Sequence, residues 1–233
     1  MQYKTLSIIM PVFNEIGTID AIIKRVKKAD SLGLKKEIVI IDDGSTDGTT
    51  KFLRKIKDDD IKTVFHEKNK GKGAAVRTGI RVAAGDILLI QDADMEYHPE
   101  EYPILLKPFL QDEAMVVYGS RELSGKNKHA SPLFYAGGKT VTFVTNLLFG
   151  SKLTDVPTCY KVFRQDVLSD IPLRCKRFEF CPEVTAHLLK RKINIVEVPI
   201  KYTSRKNNEG KKIKARDGIE AILTLVRCRI TNR

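Results

Sequence analysis

Three acidic residues, Asp92, Asp94 and Glu96, form the group in this sequence best suited to bind a metal ion. The first of them ends the apolar run from Ile87 to Asp92. In extended backbone, residues i and i+2 point to the same side, so Asp92 and Asp94 can share one hard divalent cation. Mg²⁺ or Mn²⁺ held in this way keeps positions open for phosphate oxygens. The pattern predicts a metal ion and a diphosphate substrate; the alternative is that these acids only cap the next helix.

Polar residues also follow two earlier apolar runs, which end in the sequences PVFNE (11–15) and DDGSTDG (42–48). The glycines of the second sequence allow a tight turn into a helix, and we expect Asp47 to cap that helix. Asp43 lies at the turn itself, where it can accept hydrogen bonds from a base or a ribose. Unpaired carboxylates are costly to bury, which favours a ligand here.

The glycine-rich segment GKGAAV (71–76) is superficially like a phosphate-binding loop. It lacks the third glycine and the acidic partner of a dinucleotide fingerprint, and it lacks the closing Gly-Lys-Ser/Thr of a P-loop. It therefore does not predict NAD binding. Lys72 and Arg77, near the start of a helix, can still approach phosphate through their charge and through backbone N–H groups.

The elements that must position these residues alternate along the first half of the chain. Short apolar runs predict strands at Leu6 to Val12, Ile38 to Asp42, Thr63 to His66, Ile87 to Asp92 and Met115 to Gly119. Amphipathic stretches between them predict helices. Nearly continuous apolar runs are typical of strands covered on both faces, so the fold class is α/β with a mostly parallel sheet. Because open sheets of this kind bind ligands at the carboxyl edge, the acidic strand ends should converge there.

The second half of the chain predicts three further elements. The segment from Leu133 to Phe149 is apolar on much of its circumference, and it is either a core helix or a helix lying in a membrane interface. Alternation predicts a late strand within Ile193 to Tyr202, and Ile219 to Ile230 is an amphipathic helix candidate.

Composition limits the possible functions. The 233 residues carry 41 Lys and Arg against 29 Asp and Glu, a formal charge of +12, which favours an anionic partner. The basic residues are dispersed and there is no Trp, which argues against nucleic-acid binding. We expect neither a membrane span nor export, since the sequence has no apolar run of about 18 residues and no signal-peptide pattern. The four cysteines show no metal spacing, so we expect a reducing compartment and no disulfide framework.

Four ordered motifs carry a resemblance to a known family. The sequences PxxNE, DDGSTDGT, NKGKGAAVRTGI and DAD resemble those of family 2 inverting glycosyltransferases with a GT-A fold. Within that family the chain is most similar to the dolichyl-phosphate mannose synthase group, which loads sugars onto polyprenyl phosphates. The resemblance extends over residues 5 to 217. It implies one domain over 1–233, with a nucleotide-sugar half (1–120), an acceptor half (121–217) and a C-terminal amphipathic helix (218–233).

The resemblance also implies roles for individual residues, all of them expectations. The nucleoside pocket would be lined by Pro11, Phe13, Glu15, Ile41 and Asp43. The donor diphosphate and its metal would be bound by Asp92, Ala93, Asp94 and Glu96, where relatives often carry glutamine in place of Glu96. The cations for the diphosphate and the acceptor phosphate would be Arg121, Arg205 and Lys211. Asp94, Arg121 and Arg205 would be the catalytic residues.

The implied reaction moves a hexose, with inversion, from GDP-mannose or UDP-glucose to dolichyl or polyprenyl phosphate, with mannose slightly favoured. A phosphate oxygen is already ionised at neutral pH, so this acceptor needs no general base. The alternative is a family 2 transferase acting on a sugar hydroxyl, which needs a base; Asp155 and Glu183 are the candidates. The expected location is the cytoplasmic face of a membrane, peripherally bound. In some short relatives a small membrane protein is a partner.

Overall fold

The computed structural model describes residues 3–125, 127, 131–205 and 215–231. Its strands are β1 (Thr5–Val12), β2 (Lys35–Asp42), β3 (Ile61–Phe65), β4 (Ile87–Ile90), β5 (Val116–Ser120), β6 (Lys161–Arg164) and β7 (Val196–Pro199). They form one sheet in the order β3-β2-β1-β4-β6-β5-β7. Only β6 among these seven runs antiparallel to its neighbours. The predicted α/β class with a mostly parallel sheet is confirmed.

Helices cover both faces of this sheet. They are α1 (Ile19–Lys28), α2 (Thr49–Leu53), α3 (Lys72–Val82), α4 (Tyr102–Gln111), α5 (Pro132–Phe149), α6 (Gln165–Ser169), α7 (Phe180–Lys190) and α8 (Ala215–Ile230). Buried residues of α1 and α4 pack on one face, and those of α3, α6 and α7 pack on the other. Helices α5 and α8 form a further layer on α7.

The strands bury successive residues on opposite faces, as the period of extended backbone requires. In β1, Ile8 and Met10 join the core beneath α1, while Ile9 joins the core beneath α3. Gly79 allows α3 to approach closely, because a methyl group at this position would overlap Ile9 and lie 2.8 Å from Cδ1 of Ile41. This contact fixes the height of α3 above β1 and β2.

One strand lies outside the sequence prediction, and the helix for which two interpretations were open is buried on one side. Strand β6 was not predicted, because the four-residue run Lys161–Arg164 begins and ends with a basic residue and gives no periodic signal. Tertiary packing decides it: Lys161 is fully buried, with its ammonium group 3.3 Å from the centre of the Tyr118 ring. Helix α5 is a core helix on one side only, since Val141 and Thr145 are buried while Phe143 and Leu147 are exposed. Among the described helices, none is both long and apolar enough to cross a bilayer.

Candidate functional site

The carboxyl ends of β1, β2, β4, β5 and β7 lie along one edge of the sheet, which brings the predicted acidic residues together. Asp92, two residues after the end of β4, forms an ion pair with Lys72 at the first turn of α3. The Lys72 ammonium lies 2.6 and 2.7 Å from the two carboxylate oxygens of Asp92 and 2.9 Å from Sγ of Cys159. The sequence analysis predicted only that Lys72 can approach a phosphate. In the structure this lysine neutralises Asp92, the first carboxylate of the DAD motif.

Asp94 and Glu96 occupy the loop that follows. Burial and the nearby negative charges of Asp92 and Glu96 raise the pKa of Asp94 to about 7. Glu96 has both carboxylate oxygens engaged: Oε1 accepts the backbone N–H of Arg205 at 2.7 Å, and Oε2 accepts the Tyr202 hydroxyl at 2.7 Å. The chain after β7 is thereby fastened across the loop, supported by an isolated antiparallel bridge between Tyr97 and Tyr202.

Arg205 joins this loop to the end of β1. Its Nε donates to the backbone oxygen of Asp94 at 2.8 Å, and its Nη2 donates to Oε2 of Glu15 at 2.8 Å. Thr18 donates to the same Glu15 oxygen at 2.9 Å. Burial works against the charged guanidinium, but the Glu15 bond and the nearby carboxylates outweigh it and raise the pKa of Arg205. The structure thus brings Glu15, Asp94 and Arg205 together across most of the chain length.

The acidic loop fits a hard divalent cation in part. Within the residues that the structure describes, no three His, Cys, Asp or Glu side chains form a cluster ready to hold a metal ion. Burial, and after it the carboxylates of Asp92 and Glu96, disfavour the charged form of Asp94 and raise its pKa; a cation shared with a diphosphate would favour that charged form. Asp94 fits this role directly. Asp92 would have to exchange its ion pair with Lys72 for the cation, and both Glu96 oxygens are bonded to Tyr202 and Arg205. The assignment of Glu96 as a ligand stays a prediction.

The residues predicted to line a nucleoside pocket lie at the ends of β1 and β2. Pro11 and Phe13 are half-buried at this edge. Ile41 is fully buried in the core beneath α3, so its side chain supports the edge from below and offers no surface to a ligand. Asp43 is almost fully buried, and its carboxylate accepts bonds from Nδ1 of His66 at 2.6 Å and from the backbone N–H of Gly71 at 2.7 Å. Asp43 therefore fastens the turn before α3 to β2.

The start of α3 corrects one expectation. The backbone N–H groups of Gly73 and Ala74 donate to the carbonyl oxygens of Arg177 and Lys176, at 3.1 and 3.0 Å. Arg77 donates to the Arg174 carbonyl at 2.7 Å. These donors are therefore occupied by the segment before α7. The N-cap of α2 is Gly48 and not Asp47 as predicted, although the Asp47 carboxylate accepts the backbone N–H of Thr49, the first residue of α2.

Arg121, after β5, makes the most extensive ion pair of the site. Its Nε and Nη2 each donate to Asp155 at 2.7 Å, and its backbone N–H donates to the same carboxylate at 3.0 Å. Burial disfavours the charge on Asp155, but attraction and hydrogen bonds from Arg121 outweigh it and lower the pKa of this carboxyl group. The arginine predicted to bind phosphate is thus also the partner that stabilises the Asp155 loop.

A small cavity of about 70 Å³ opens beside this ion pair. Its polar lining includes Arg121, Glu122, Ser131, Tyr135, Lys139, Thr154, Asp155, Tyr202 and Ser204. Both of its carboxylates are paired, Asp155 with Arg121 and Glu122 with Lys139 at 2.9 Å. Glu183, the other base candidate, lies elsewhere: its oxygens accept the backbone N–H groups of Arg174 and Cys175 at 2.9 Å.

Two positioning residues had no sequence signal. Gln91 accepts the hydroxyls of Tyr102 and Tyr160 at 3.0 and 2.7 Å and donates to the Asp92 carbonyl, which fixes the backbone of the DAD motif. Asn127 donates to the carbonyls of Arg121 and Ile200 and joins two loops of the cavity wall. No sequence pattern identifies amide side chains of this kind, because only their hydrogen bonds in the folded structure show their role. Lys211, predicted to contact the diphosphate, lies outside the described residues.

Comparison with known proteins supports the same family. The sequence profile described as "Glycosyl transferase family 2" matches residues 7–172. A UDP-N-acetylglucosamine–dolichyl-phosphate N-acetylglucosaminyltransferase of Methanococcus voltae is 30% identical over 221 residues, which is 86% of each chain. An undecaprenyl-phosphate 4-deoxy-4-formamido-L-arabinose transferase of Aeromonas hydrophila is 30% identical over 215 residues, 89% of this chain but 63% of that protein.

Among solved structures, glucosyl-3-phosphoglycerate synthase of Mycobacterium tuberculosis in complex with Mn²⁺, uridine diphosphate and phosphoglyceric acid has a TM-score of 0.76. It shares 19% identity and covers 99% of this chain and 80% of its own, a likeness that concerns the fold. A membrane-protein partner has no support in these comparisons. The matched profile, the relatives and the acidic edge of the sheet all agree, and the chain belongs to glycosyl transferase family 2, with the GT-A fold.

Proposed function

We propose that this protein transfers a sugar from a nucleotide diphosphate donor to a polyprenyl phosphate. The observation that carries the proposal is the cavity beside the Arg121–Asp155 ion pair, whose two carboxylates are held by Arg121 and Lys139 and so do not serve as a general base. Such a lining suits an ionised phosphate, which attacks without a general base. The names of the two relatives, which act on dolichyl and undecaprenyl phosphates, support the same acceptor class.

On the donor side, Asp92 and Asp94 are the residues that would hold Mg²⁺ or Mn²⁺. The chemistry that a bound cation supplies is neutralisation of charge on the leaving nucleoside diphosphate. Lys72 holds Asp92, and Arg205 holds the Asp94 backbone and Glu15, so these two cations orient the loop. GDP-mannose and UDP-glucose remain candidate donors. The relatives' names mention N-acetylglucosamine and formamido-arabinose, so the comparisons do not favour mannose over other sugars.

A panel of nucleotide sugars with a short polyprenyl phosphate, with and without Mn²⁺ or Mg²⁺, tests the proposal. We expect transfer from one donor, inversion at the anomeric carbon by NMR, and no product when the free alcohol replaces the phosphate. Asp94→Asn should abolish transfer without unfolding the protein, whereas Asp112→Asn, at the exposed end of α4, should leave it unchanged. Transfer to a sugar hydroxyl with none to the lipid phosphate would refute the proposal and favour the hydroxyl-acceptor alternative.

A further inference from the structure

Two neighbouring helices leave a wide apolar surface uncovered. In the described part of the chain, most of the exposed large apolar side chains lie on α5 and α8. The α5–α8 face consists of Leu133, Phe143 and Leu147 on α5 and Ile219, Leu223, Val226 and Ile230 on α8. These side chains are between 40% and 74% exposed. A contiguous apolar surface of this kind on a folded protein marks an interaction site.

The two helices present these side chains to the same side. On α5, Val141 and Thr145 are buried, and on α8, Ala221 and Leu225 are buried. With 3.6 residues per turn, the exposed residues of each helix lie opposite its buried ones. Both helices pack on α7 and on each other, so α7 lies beneath the pair. Their exposed stripes therefore point away from α7 in one direction.

The relative direction of the helices supports a continuous face. The Arg229 guanidinium, near the end of α8, lies 5.9 Å from the centre of the Phe149 ring at the end of α5. The C-terminal ends of the two helices are therefore adjacent, and the helices lie side by side. Their stripes are about as long as the helices themselves, which together form an elongated surface.

Charge identifies the occupant of this surface. On the exposed surface of α8, Arg216, Arg227 and Arg229 outnumber Glu220, and Lys139 lies beside the stripe of α5. The whole chain has a net charge of +12. Anionic lipid headgroups attract such a basic border. A symmetric dimer through the same face would instead bring like charges together, which disfavours a second copy.

We infer that the α5–α8 face binds the surface of an anionic lipid bilayer, with both helices parallel to the membrane plane and their apolar side chains at the headgroup boundary. The cavity is lined by Tyr135, Lys139 and Thr142, on the flank of α5 turned away from its exposed apolar side chains, so this orientation leaves the cavity about one helix diameter from the headgroups. A lipid phosphate in the bilayer surface is then near the cavity, and only that last step rests on the proposed function.

Vesicle co-sedimentation tests the inference. Phe143→Asp and Leu223→Asp should each lower partition onto phosphatidylcholine–phosphatidylglycerol vesicles about tenfold. Leu110→Asp is the matched control, because Leu110 is an exposed leucine of α4 on the other side of the sheet and should change partition little. Arg227→Gln with Arg229→Gln should weaken binding about fivefold per charge on these vesicles and leave binding to pure phosphatidylcholine unchanged. Circular dichroism should show that each variant is folded.

Transfer to a short, water-soluble polyprenyl phosphate without vesicles separates the two ideas. Phe143→Asp and Leu223→Asp should retain wild-type transfer in that assay while losing vesicle binding. Full vesicle binding by both variants would overturn the membrane inference and leave the proposed function intact. A wild-type dimer that Phe143→Asp dissociates, with no vesicle binding, would also overturn it and assign the face to a second copy. Absence of transfer by the wild-type protein, with vesicle binding lost in the variants, would instead refute the proposed function alone.

Discussion

Replacing Asp155 with asparagine alters the buried ion pair that joins the end of β5 to the loop before β6. The Asp155 side chain is 3% exposed and accepts three hydrogen bonds from Arg121, two from the guanidinium and one from the backbone. In either orientation of the asparagine amide, its NH₂ group faces an N–H donor of Arg121. The substitution therefore removes a charge and sets donor against donor, with the guanidinium still largely buried.

The expected cost is large because one charge is left without its partner. Removing one member of a buried ion pair destabilises a protein by about 3–5 kcal/mol. For a chain of this size, that loss lowers Tm by about 6–20 °C. Thermal and urea unfolding followed by circular dichroism measure it. Asp166→Asn is the control, because its pair with Arg164 is exposed and should contribute less than about 1 kcal/mol.

The pH dependence follows from the lowered pKa of Asp155. A carboxyl group with a lower pKa in the folded state stabilises the protein above its unfolded value, which is about 3.9. That stabilisation declines as the pH falls from the unfolded value through the lower folded value, so the difference between wild type and Asp155→Asn should begin to shrink below about pH 4 and disappear only below the folded pKa. A double variant, Arg121→Leu with Asp155→Leu, should recover much of the lost stability but not the activity. Equal losses in Asp155→Asn and Asp166→Asn would refute this reasoning.

Two further predictions test the packing of the sheet. Gly79→Ala should destabilise the fold by about 1–3 kcal/mol, because the added methyl group meets Ile9 and Ile41. Gly218→Ala is the control: it lies in α8 with open space around it and should stabilise the fold slightly. Equal urea midpoints for the two variants would contradict the close approach of α3 to the sheet. Burial lowers the pKa of Lys161 from 10.5 to about 8. Between these two pH values the unfolded chain binds this proton and the folded protein does not. The free energy of unfolding of the wild type should therefore rise by on the order of 3 kcal/mol between about pH 8 and 10.5. Lys161→Met should lack this increment when urea unfolding is compared at the two ends of the range, and an equal rise in both proteins would count against it.

Much of the fold was readable from local pattern. Apolar runs predict β1 to β5 because a strand buried on both faces needs nearly every side chain to be apolar. The position of the DAD motif just beyond β4 follows from the same rule, since a parallel strand must end in a loop at the carboxyl edge. Strand β6 was not predictable because its buried lysine is accommodated only in the folded chain: the ammonium group lies over the ring of Tyr118, on the neighbouring strand β5, and donates to the Val156 carbonyl in the preceding loop.

The sequence by itself determined which chemical groups meet at the edge of the sheet, because strand period and strand ends are local properties. Only the tertiary structure decided which of those groups are satisfied by one another. Lys72 with Asp92, Arg205 with Glu15 and Arg121 with Asp155 are pairs separated by 20, 190 and 34 positions, respectively. No periodicity connects such residues, since a charge of either sign is equally compatible with a loop until the chain folds. The partner that each charge finds is set by the order of the strands and by the layers that cover them.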